Sequence, residues 1–514
     1  MGIDVARGQE RGHKWGTLLT VCVATFMLLL DITIVNVALP PIERALRASF
    51  SDLQWVIDAY ALTLATCVLT AGALADLFGR KKLFIGGIVV FTAASGACGA
   101  SFDPLFLILA RAAQGIGGAT MFATSLALIS QEFHGRERGT AFGIWGATVG
   151  AAVAVGPLAG GMLTSWLSWR WIFLVNIPIG VAAVALASVR LRESSDPDHG
   201  RLDPLGLVTL TGGLFCLILA LIEGNRHGWS SALILGLFGA AALLLALFLA
   251  SQAVERTTMI DLSLFRRPAF VGAQTTAFAI SSSLFAMFLY LTLYLQNVLG
   301  YSPLQTGLRF LPLSVVSFFA APLAGRLSAR LPVRLLLGSG LALCALAMWL
   351  MSRITVHSSW TGLLDGFVVG GVGIGFVNAP LASTAVSTVQ RERAGMASGL
   401  NNTFRQVGIA TGIAALGAIF QDRIGTKVEA GLRGVPNAHR VAQQMTSGQT
   451  QKALSGVPPH LRAHVAAVAK ASFVSGLSEI LVVGTVVAAC GALLALVLVR
   501  RRDFVPSGPA AEAG

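Results

Sequence analysis

The stretch LLLDITIVNVALPP, Leu28 to Pro41, places a single acid, Asp31, within a long apolar run. No lysine or arginine lies within one helical turn of Asp31 in the sequence. A carboxylate at the centre of a membrane-spanning helix costs about 2.5–3.5 kcal/mol, and charged residues in such helices are usually functional. If this run spans a membrane, Asp31 is therefore a candidate for the central chemistry of the protein.

Apolar residues dominate the whole chain. Of the 514 residues, 55% are hydrophobic and 12% are charged, and the mean hydropathy is +0.74. A soluble domain would carry about 25% charged residues. Runs of about 20 apolar residues, each long enough to cross roughly 30 Å of hydrocarbon, recur from end to end. The pattern predicts an all-α polytopic membrane protein with fourteen spans, at residues 16–38, 53–74, 83–101, 105–130, 139–163, 171–188, 204–222, 232–251, 269–296, 305–325, 334–352, 362–386, 396–420 and 473–499.

The basic residues follow the positive-inside rule. With a cytoplasmic N-terminus, the inner loops contain 22 lysines and arginines, and the short outer loops contain five. Seven more lie in a long outer loop, 421–472, where the rule carries little weight. The net charge of +13 is thus a topology signal that predicts both termini in the cytoplasm, and nucleic-acid binding is not expected.

The contents of the predicted spans argue against several kinds of chemistry. The six cysteines lie in spans without a CxxC spacing, and the eight histidines lie in loops or termini without metal-ligand spacing. No phosphate-binding G-x-x-x-x-G-K-[ST] motif occurs, and no nucleophile–base pair is visible at membrane depth. We therefore expect no enzyme activity, no metal and no cofactor. Energy, if it is needed, would come from an ion gradient, and any proton handled at membrane depth would use carboxylates.

The loop after the second span, GALADLFGRKKL from Gly72 to Leu83, is more specific than a simple connection requires. Gly72 allows two helices to approach closely, and Gly79 permits a tight turn. Asp76 can accept hydrogen bonds from the free N–H groups at the start of a neighbouring helix. Arg80 and the two lysines after it face the anionic inner leaflet. We interpret the loop as a gating motif; a short positive-inside turn is the simpler alternative.

Four motifs together resemble those of the major facilitator superfamily. The Gly72 loop is similar to the signature between its helices two and three, and LILARAAQGIGGA (107–119) is similar to its helix-four motif. AVAVGPLAGG (152–161) resembles the helix-five antiporter motif, with Ala152 in place of the first glycine. LDITIVNVALP resembles the helix-one motif of drug:proton antiporters. The matching residues of the helix-four and helix-five motifs are Arg111, Gln114, Gly115, Gly156, Pro157, Gly160 and Gly161.

This resemblance covers nearly the whole chain and implies the major facilitator fold of the fourteen-helix drug exporters. That fold has two six-helix bundles plus two extra central helices. PLAGRLSARLPVR (322–334) is a degenerate second copy of the Gly72 loop, as expected of two related bundles. The expected domains are a cytoplasmic N-terminus (1–15), an N-terminal bundle (16–190), an inserted helix pair (191–260), a C-terminal bundle (261–500) and a cytoplasmic tail (501–514).

The helix-five motif has a physical interpretation of its own. Pro157 removes a backbone donor within the helix, and Gly156, Gly160 and Gly161 remove side-chain bulk around it. The fifth span should therefore be kinked and closely packed, so that it can seal one face and rock. Ordinary helix packing is the alternative, because small residues are common in membrane bundles.

Three charged residues lie at a similar depth in the first bundle. Counted along each helix at about 1.5 Å per residue, Asp31, Asp58 and Arg111 all lie roughly 10 Å beneath the outer surface. A cation near two carboxylates would lower the cost of burying all three. We take Asp31 as the main proton site, with Arg111 controlling when the proton is released. Asp58 is a second proton site or a contact for a cationic substrate, and a static charge cluster is the alternative.

Other residues are candidates for substrate binding. Phe285, Tyr290 and Tyr294 lie in the span whose counterpart lines the cavity in this superfamily, although aromatic stripes are also typical of helix packing. Arg405, about nine residues into its span, is either functional or a structural arginine that reaches the interface. Glu223 is expected at the outer interface. The remaining candidates are Asn36, Gln114, Asp365 and Asn378.

These observations favour a proton-coupled secondary antiporter that exports lipophilic drugs or antibiotics across the cell membrane. Its partners would be the lipid bilayer, a small lipophilic substrate and protons, with no nucleic acid and no obligatory protein partner. Export of one endogenous metabolite, such as an antibiotic made by the same cell, is an alternative that the sequence does not separate. A transport-inactive sensor on the same scaffold is a further alternative, since fold alone does not guarantee activity.

Overall fold

A computed structural model of the chain describes residues 2–48, 50–133, 135–194, 203–254, 260–328, 330–390, 393–432 and 457–500. Most of these residues are helical, and no β-strand occurs among them. Burying a backbone polar group in lipid without a partner is costly, and a helix satisfies all such groups within one segment. The all-α class predicted from hydropathy is therefore confirmed.

The first half of the described chain consists of helices joined by short turns. Local capping sets several of their boundaries. Asp103, for example, accepts a hydrogen bond of 2.9 Å from the Phe106 N–H at the start of the fourth helix, and proline follows it at the first helical position. The helices are α1 (Gly2–Leu46), α2 (Phe50–Phe78), α3 (Arg80–Gly99), α4 (Pro104–Glu132), α5 (Gly135–Trp166), α6 (Trp171–Leu174), α7 (Asn176–Arg190), α8 (Pro204–His227) and α9 (Ala232–Val254).

The second half follows the same pattern, with one irregular helix. Two π-helical turns, Ser281–Phe285 and Tyr294–Val298, flank a short α-helix and widen it locally. Such turns are rare and often lie at functional sites. The helices are α10 (Pro268–Ile280), α11 (Ala286–Leu293), α12 (Pro303–Leu327), α13 (Val333–Met351), α14 (Leu364–Ser387), α15 (Ala394–Gly431) and α16 (Pro459–Leu498).

Thirteen helical stretches of the described chain are long and apolar enough to cross a membrane by length and composition. α6 and α7 form one of them, and α10, α11 and the π-helical turns form another. α5, with 32 residues and a length of about 48 Å, is a further helix of spanning length. Each predicted span thus corresponds to a helical stretch. The last two helices differ from prediction, because α15 and α16 both extend into the predicted outer loop 421–472.

The two halves of the chain meet most closely at the end of the molecule that carries Arg80, which we call the basic end. There α5 lies against α12, and α2 lies against α15. A Cβ atom on Gly143 would lie 2.8 Å from Cα of Pro322, and one on Gly72 would lie 2.6 Å from the carbonyl oxygen of Gly395. Only glycine permits this backbone-to-backbone approach. The two halves are therefore in direct backbone contact at the basic end, and we call this contact the seal.

Packing along the α5–α12 seam loosens toward the opposite end. A Cβ on Gly150 would lie 3.6 Å from Ser317 Oγ, and one on Gly161 would lie 3.5 Å from Leu304. Both are ordinary van der Waals distances, which allow side chains between the helices. The seam is tight at one end and looser at the other, as expected of two bodies that rock against each other.

The inserted helix α8 bridges the two halves where α2 and α15 meet. The hydroxyls of Thr70 on α2 and Thr211 on α8 are 2.8 Å apart and share a hydrogen bond. Near its other end, Asn225 Nδ2 of α8 donates to the carbonyl oxygen of Ala414 on α15 at 3.1 Å. α9 packs on the outside of α8 and leaves large apolar side chains such as Leu243 exposed. The inserted pair therefore forms a flank of the bundle and not a separate domain.

Candidate functional site

A buried ion pair joins α1 and α4. Asp31 on α1 is fully buried, and Arg111 on α4 is 1% exposed. Arg111 Nη1 donates a hydrogen bond of 2.5 Å to Asp31 Oδ2. Two amides complete the surroundings of the carboxylate, since Gln114 Nε2 and Asn176 Nδ2 donate to Oδ1 at 2.9 and 3.1 Å. The structure thus brings Asp31 and Arg111 together, and their part in proton coupling stays a prediction.

The guanidinium of Arg111 is held in place by α2. Its Nε donates to the carbonyl oxygen of Val56 at 3.1 Å, and its Cζ lies 4.2 Å from the ring centroid of Tyr60. The Tyr60 hydroxyl is buried and has no hydrogen-bond partner in the described part of the chain. Cation–π contact and a backbone acceptor orient the guanidinium toward α1. Arg111 therefore connects α1, α2 and α4 at one point.

Small residues let α4 approach its neighbours closely enough for these contacts. A Cβ on Gly117 would lie 2.5 Å from the Phe91 nitrogen of α3, so only glycine fits there. Arg111 and Gln114 are three residues apart and share a helix face. Arg111 Nη1 also donates to Gln114 Oε1 at 2.8 Å. Gln114 is buried and bonded within the Asp31 cluster, and its predicted part in substrate binding stays a prediction.

Asn176 is a member of the site that the sequence interpretation missed. It is the first residue of α7, directly after the break that separates α7 from α6. Its Nδ2 bridges Asp31 Oδ1 and Ser95 Oγ, the latter at 3.0 Å. The signal available in the sequence was an asparagine within an apolar run, two residues before Pro178. An amide in such a run needs a partner, and Asp31 is that partner.

Asp58 does not join the Asp31 cluster, contrary to the expectation of one cation between two carboxylates. Arg111 contacts the carbonyl of Val56, and Asp58 lies two residues further along α2, nearly on the opposite face. Asp58 therefore lies outside the Asp31 cluster, and its predicted part in proton coupling stays a prediction.

Glu223 on α8 is the centre of a second charged cluster. It is 5% exposed, and its expected position at the outer interface stays a prediction. Arg226 Nη1 lies 2.6 Å from its Oε1, and His227 Nδ1 lies 3.0 Å from its Oε2. Glu223 is buried because α8 packs against α2 and α15. This packing could not be predicted from the sequence. The cluster lies at the end of the molecule opposite the basic end.

The Gly72 loop ties α2 to the start of α15. Asp76 is fully buried and accepts two hydrogen bonds from Arg80, at 2.9 and 2.8 Å. It also accepts from the backbone N–H groups of Gly395 and Met396, at 3.0 and 2.7 Å. These N–H groups are in the first turn of α15, where the helix dipole favours an anion. The interpretation of Asp76 as the acceptor for a neighbouring helix start is confirmed, and the gating role of the loop stays a prediction.

Two glycines of the predicted motifs have a demonstrable steric role. Gly79 has a φ of 104°, which side chains rarely adopt, and it starts the turn into α3. A Cβ on Gly156 would overlap the side chain of Thr33, so α5 and α1 are in close contact there. Gly160 is buried, and Gly161 faces Leu304. The side chain of Pro157 lies outside the described residues, and the kink stays a prediction.

The predicted substrate contacts are dispersed. Tyr290 donates its hydroxyl to the carbonyl of Ile413 at 2.7 Å, and Tyr294 donates to that of Ser358 at 3.4 Å. Both tyrosines are buried in the core of the second half. Asp365 is exposed in the first turn of α14. The other candidates divide into Phe285, which is partly exposed, Asn378, which is buried, and Asn36, whose side chain lies outside the described residues.

Comparisons with known proteins agree with this architecture. Residues 21–413 match the model of the Major Facilitator Superfamily. The chain is 35% identical over 480 residues to multidrug resistance protein Stp of Mycobacterium tuberculosis, covering 91% of this chain and 89% of the relative. It is 34% identical to the tetracenomycin C resistance and export protein of Streptomyces glaucescens, covering 81% and 77%. The human organic anion transporter MFSD10 has a similar fold, with a TM-score of 0.60 at 13% identity, covering 92% of this chain and 99% of that one. The chain therefore belongs to the Major Facilitator Superfamily, whose members are membrane transporters and not enzymes.

Proposed function

We propose that the chain is a proton-coupled antiporter that exports lipophilic drugs or antibiotics. The observation that carries the proposal is the buried Asp31–Arg111 pair, because it is a titratable carboxylate whose partners lie on other helices. Protonation of Asp31 would remove the charge that holds Arg111, Gln114 and Asn176 to α1. Relatives named for multidrug resistance and for antibiotic resistance and export support the direction of transport.

A short path connects Asp31 to the seam between the halves. Thr33, two residues after Asp31 on α1, packs on Gly156 of α5. α5 in turn lies along α12, and it approaches that helix most closely at the basic end. A change in the position of α1 would therefore act on α5, one of the helices that form the seam between the halves. Alternating access needs such a two-state element, biased by both proton and substrate.

The distribution of charge supports an orientation for this arrangement. We place the protein in the cell membrane with the basic end and both termini in the cytoplasm, as the positive-inside rule favours. With the basic end sealed, the present arrangement would face outward, where Asp31 would load its proton. A charge that moves down 100 mV releases about 2.3 kcal/mol. Tenfold accumulation of substrate costs about 1.4 kcal/mol, so one proton suffices to drive export without any cofactor.

A dedicated exporter of one endogenous metabolite is the second candidate. The observation that favours it is the close packing of the predicted aromatic contacts Tyr290 and Tyr294, since a multidrug site benefits from adaptable surfaces. The breadth of compounds transported separates the two candidates. A transport-inactive sensor is the third, and any substrate-dependent proton movement would exclude it.

Proton movement in proteoliposomes tests the proposal. Purified protein is reconstituted with a lumenal pH dye and an imposed pH gradient, and cationic, neutral and anionic lipophilic compounds are added in turn. Wild type is compared with Asp31→Asn and with Asp422→Asn, which removes an equal charge from an exposed position outside the candidate sites. We expect at least one compound to dissipate the gradient in wild type and in Asp422→Asn, but not in Asp31→Asn.

Other outcomes have distinct meanings. A wild-type response that survives in Asp31→Asn would refute Asp31 as the proton site and would turn attention to Asp58. A response confined to one compound would favour the dedicated exporter. If no compound causes proton movement in wild type, multidrug export is contradicted. The same assay would then be repeated with metabolites of the host cell.

A further inference from the structure

Arg405 is a buried cation without a counter-charge among the residues that the structure describes. It is 9% exposed on α15, eleven residues after the start of that helix and thus about 17 Å along it. Its Nη2 donates to Oδ1 of Asn378, a neutral amide on α14. No ion pair in the described part of the chain includes Arg405. Arg111 is also buried but forms an ion pair with Asp31. The two buried arginines therefore differ in whether an acid neutralises their charge.

The composition around Arg405 explains why it lacks an anion. Residues 268–420 contain eight arginines but only two acids, Asp365 and Glu392. Asp365 is exposed at the start of α14, thirteen residues and about 20 Å from Asn378 along that helix. Glu392 lies outside the described residues. An uncompensated charge at membrane depth is costly, and it is retained where something else supplies the partner.

Buried polar groups without a hydrogen-bond partner in the described chain lie beside residues one helical turn to either side of Arg405. Asn401 donates to Oε1 of Gln274 on α10, which leaves the buried Nε2 of Gln274 without a partner in the described chain. On the other side, Gly408 packs against Ser281, whose buried hydroxyl also has no partner there. The amide nitrogen of Gln274 can only donate, and the Ser281 hydroxyl can donate or accept, so both can bond an anion. The buried Oδ1 of Asn402, an acceptor, also has no partner in the described chain. The positive charge of Arg405 makes an oxygen-rich anion the chemical complement of the region.

Aromatic rings provide an apolar wall beside the charge. The ring centroid of Phe285 lies 5.8 Å from Cζ of Arg405, in the π-helical turn that begins at Ser281. Phe285 meets Phe288 edge to face at 5.7 Å, and Phe288 meets Phe310 at 5.8 Å. All three rings are partly exposed. A row of rings that ends at a cation fits a flat lipophilic molecule with one anionic group.

The Asp31 cluster does not offer the complementary site for a cation. Its carboxylate already accepts hydrogen bonds from Arg111, Gln114 and Asn176. We therefore propose that Arg405, with Asn378 and Phe285, forms a substrate site for lipophilic compounds that carry a carboxylate or another anionic oxygen. This inference rests on the proposed export function and specifies its substrate class.

Equilibrium binding of two matched dyes tests the site. Rhodamine B carries a free carboxylate, and rhodamine B ethyl ester has the same ring system with that carboxylate blocked. Fluorescence anisotropy of each dye is measured against purified protein in detergent. For wild type we expect about tenfold tighter binding of the acid than of the ester, equivalent to about 1.4 kcal/mol. In Arg405→Gln the affinity for the acid should fall to that of the ester, which should itself be unchanged.

Matched variants separate a binding role from a structural one. Arg405→Lys keeps the charge and should keep part of the preference for the acid. Arg309→Gln removes an equal charge from α12, where the arginine stacks on Tyr301 at 3.5 Å, and should leave the preference intact. Because Arg405→Gln removes an unpaired buried charge, it should not lower the thermal stability of the protein.

Several results would overturn the proposal. These are equal binding of both dyes by wild type, absence of binding of the acid, and a preference that persists in Arg405→Gln. A large loss of stability in Arg405→Gln with an unchanged preference would identify a structural arginine. Dye binding needs no proton gradient. If wild type prefers the acid but no compound causes proton movement, proton coupling alone is refuted. If a compound causes proton movement but wild type binds the acid and the ester equally, the anion site alone is refuted.

Discussion

Removing the charge of Asp31 should destabilise the protein far more than removing an exposed carboxylate. In Asp31→Asn the guanidinium of Arg111 would stay 1% exposed with no anion beside it. Breaking a buried ion pair by removing one partner typically costs about 3–5 kcal/mol, because an uncompensated charge remains. Total stabilities of proteins are about 5–15 kcal/mol, so this is a large fraction.

The geometry also predicts that a second substitution, Arg111→Gln, recovers part of the stability lost in Asp31→Asn. If the uncompensated charge causes the loss, Asp31→Asn combined with Arg111→Gln should cost less than the sum of the single variants. The two side chains are in direct contact at 2.5 Å, so we expect a coupling energy of about 2–3 kcal/mol. Asp365→Asn is the matched control, and it should change stability by less than about 0.5 kcal/mol because its carboxylate is exposed.

Denaturant titration in mixed micelles measures these free energies. Tryptophan fluorescence serves as the first readout, since Trp145 is fully buried. Labelling of the buried thiols of Cys98 and Cys344 by a thiol-reactive dye serves as the second. Additive effects of Asp31→Asn and Arg111→Gln, or a cost for Asp31→Asn no larger than for Asp365→Asn, would refute the reasoning.

Two further predictions concern the sealed basic end. Gly72→Ala should cost about 1–3 kcal/mol of stability, because its Cβ would lie 2.6 Å from a backbone oxygen of α15 that cannot rotate away. Gly86→Ala, which has open space around it, is the control and should be neutral or slightly stabilising in the same titration. Asp76→Asn should shift the basic end toward an open state by roughly tenfold or more, since charge-assisted hydrogen bonds contribute about 1.5–3 kcal/mol each. Spin labels at the exposed positions Lys82 and Arg334, one in each half, would report longer distances.

Both predictions can fail clearly. Equal effects of the two glycine substitutions would show that helix propensity decides them and not the contact with α15. An unchanged distance distribution in Asp76→Asn would show that the glycine packing alone closes the basic end. The transport and dye-binding tests described above are independent of these two.

Much of the fold was predictable because its signals are local. The length of each apolar run can be compared directly with the thickness of a bilayer. The existence and order of the helices could therefore be predicted from the positions of these runs along the sequence. The depth of Asp31 and Arg111 along their helices follows from a fixed rise per residue. Equal depth suggested a charge pair, and the structure shows one.

Depth along a helix does not determine rotation about its axis. Asp58 has a similar depth to Asp31, but the face of α2 that meets Arg111 is that of Val56, and Asp58 lies nearly on the opposite face. Asn176 was overlooked for the same reason. Its approach to Asp31 depends on how α7 begins after the break at Val175 and not on any motif.

The membrane class, the helix order and the presence of buried charges that need partners all follow from the sequence alone. The identity of those partners depends on the tertiary structure. Asp76 accepts hydrogen bonds from the N–H groups of a helix that starts more than 300 residues later, and Arg405 donates to a neutral amide and has no acid partner in the described part of the chain. The physical reason is that helix rotation and contact are set by side-chain packing between distant segments, as at the glycine contacts of the α5–α12 seam, and no local pattern carries that information.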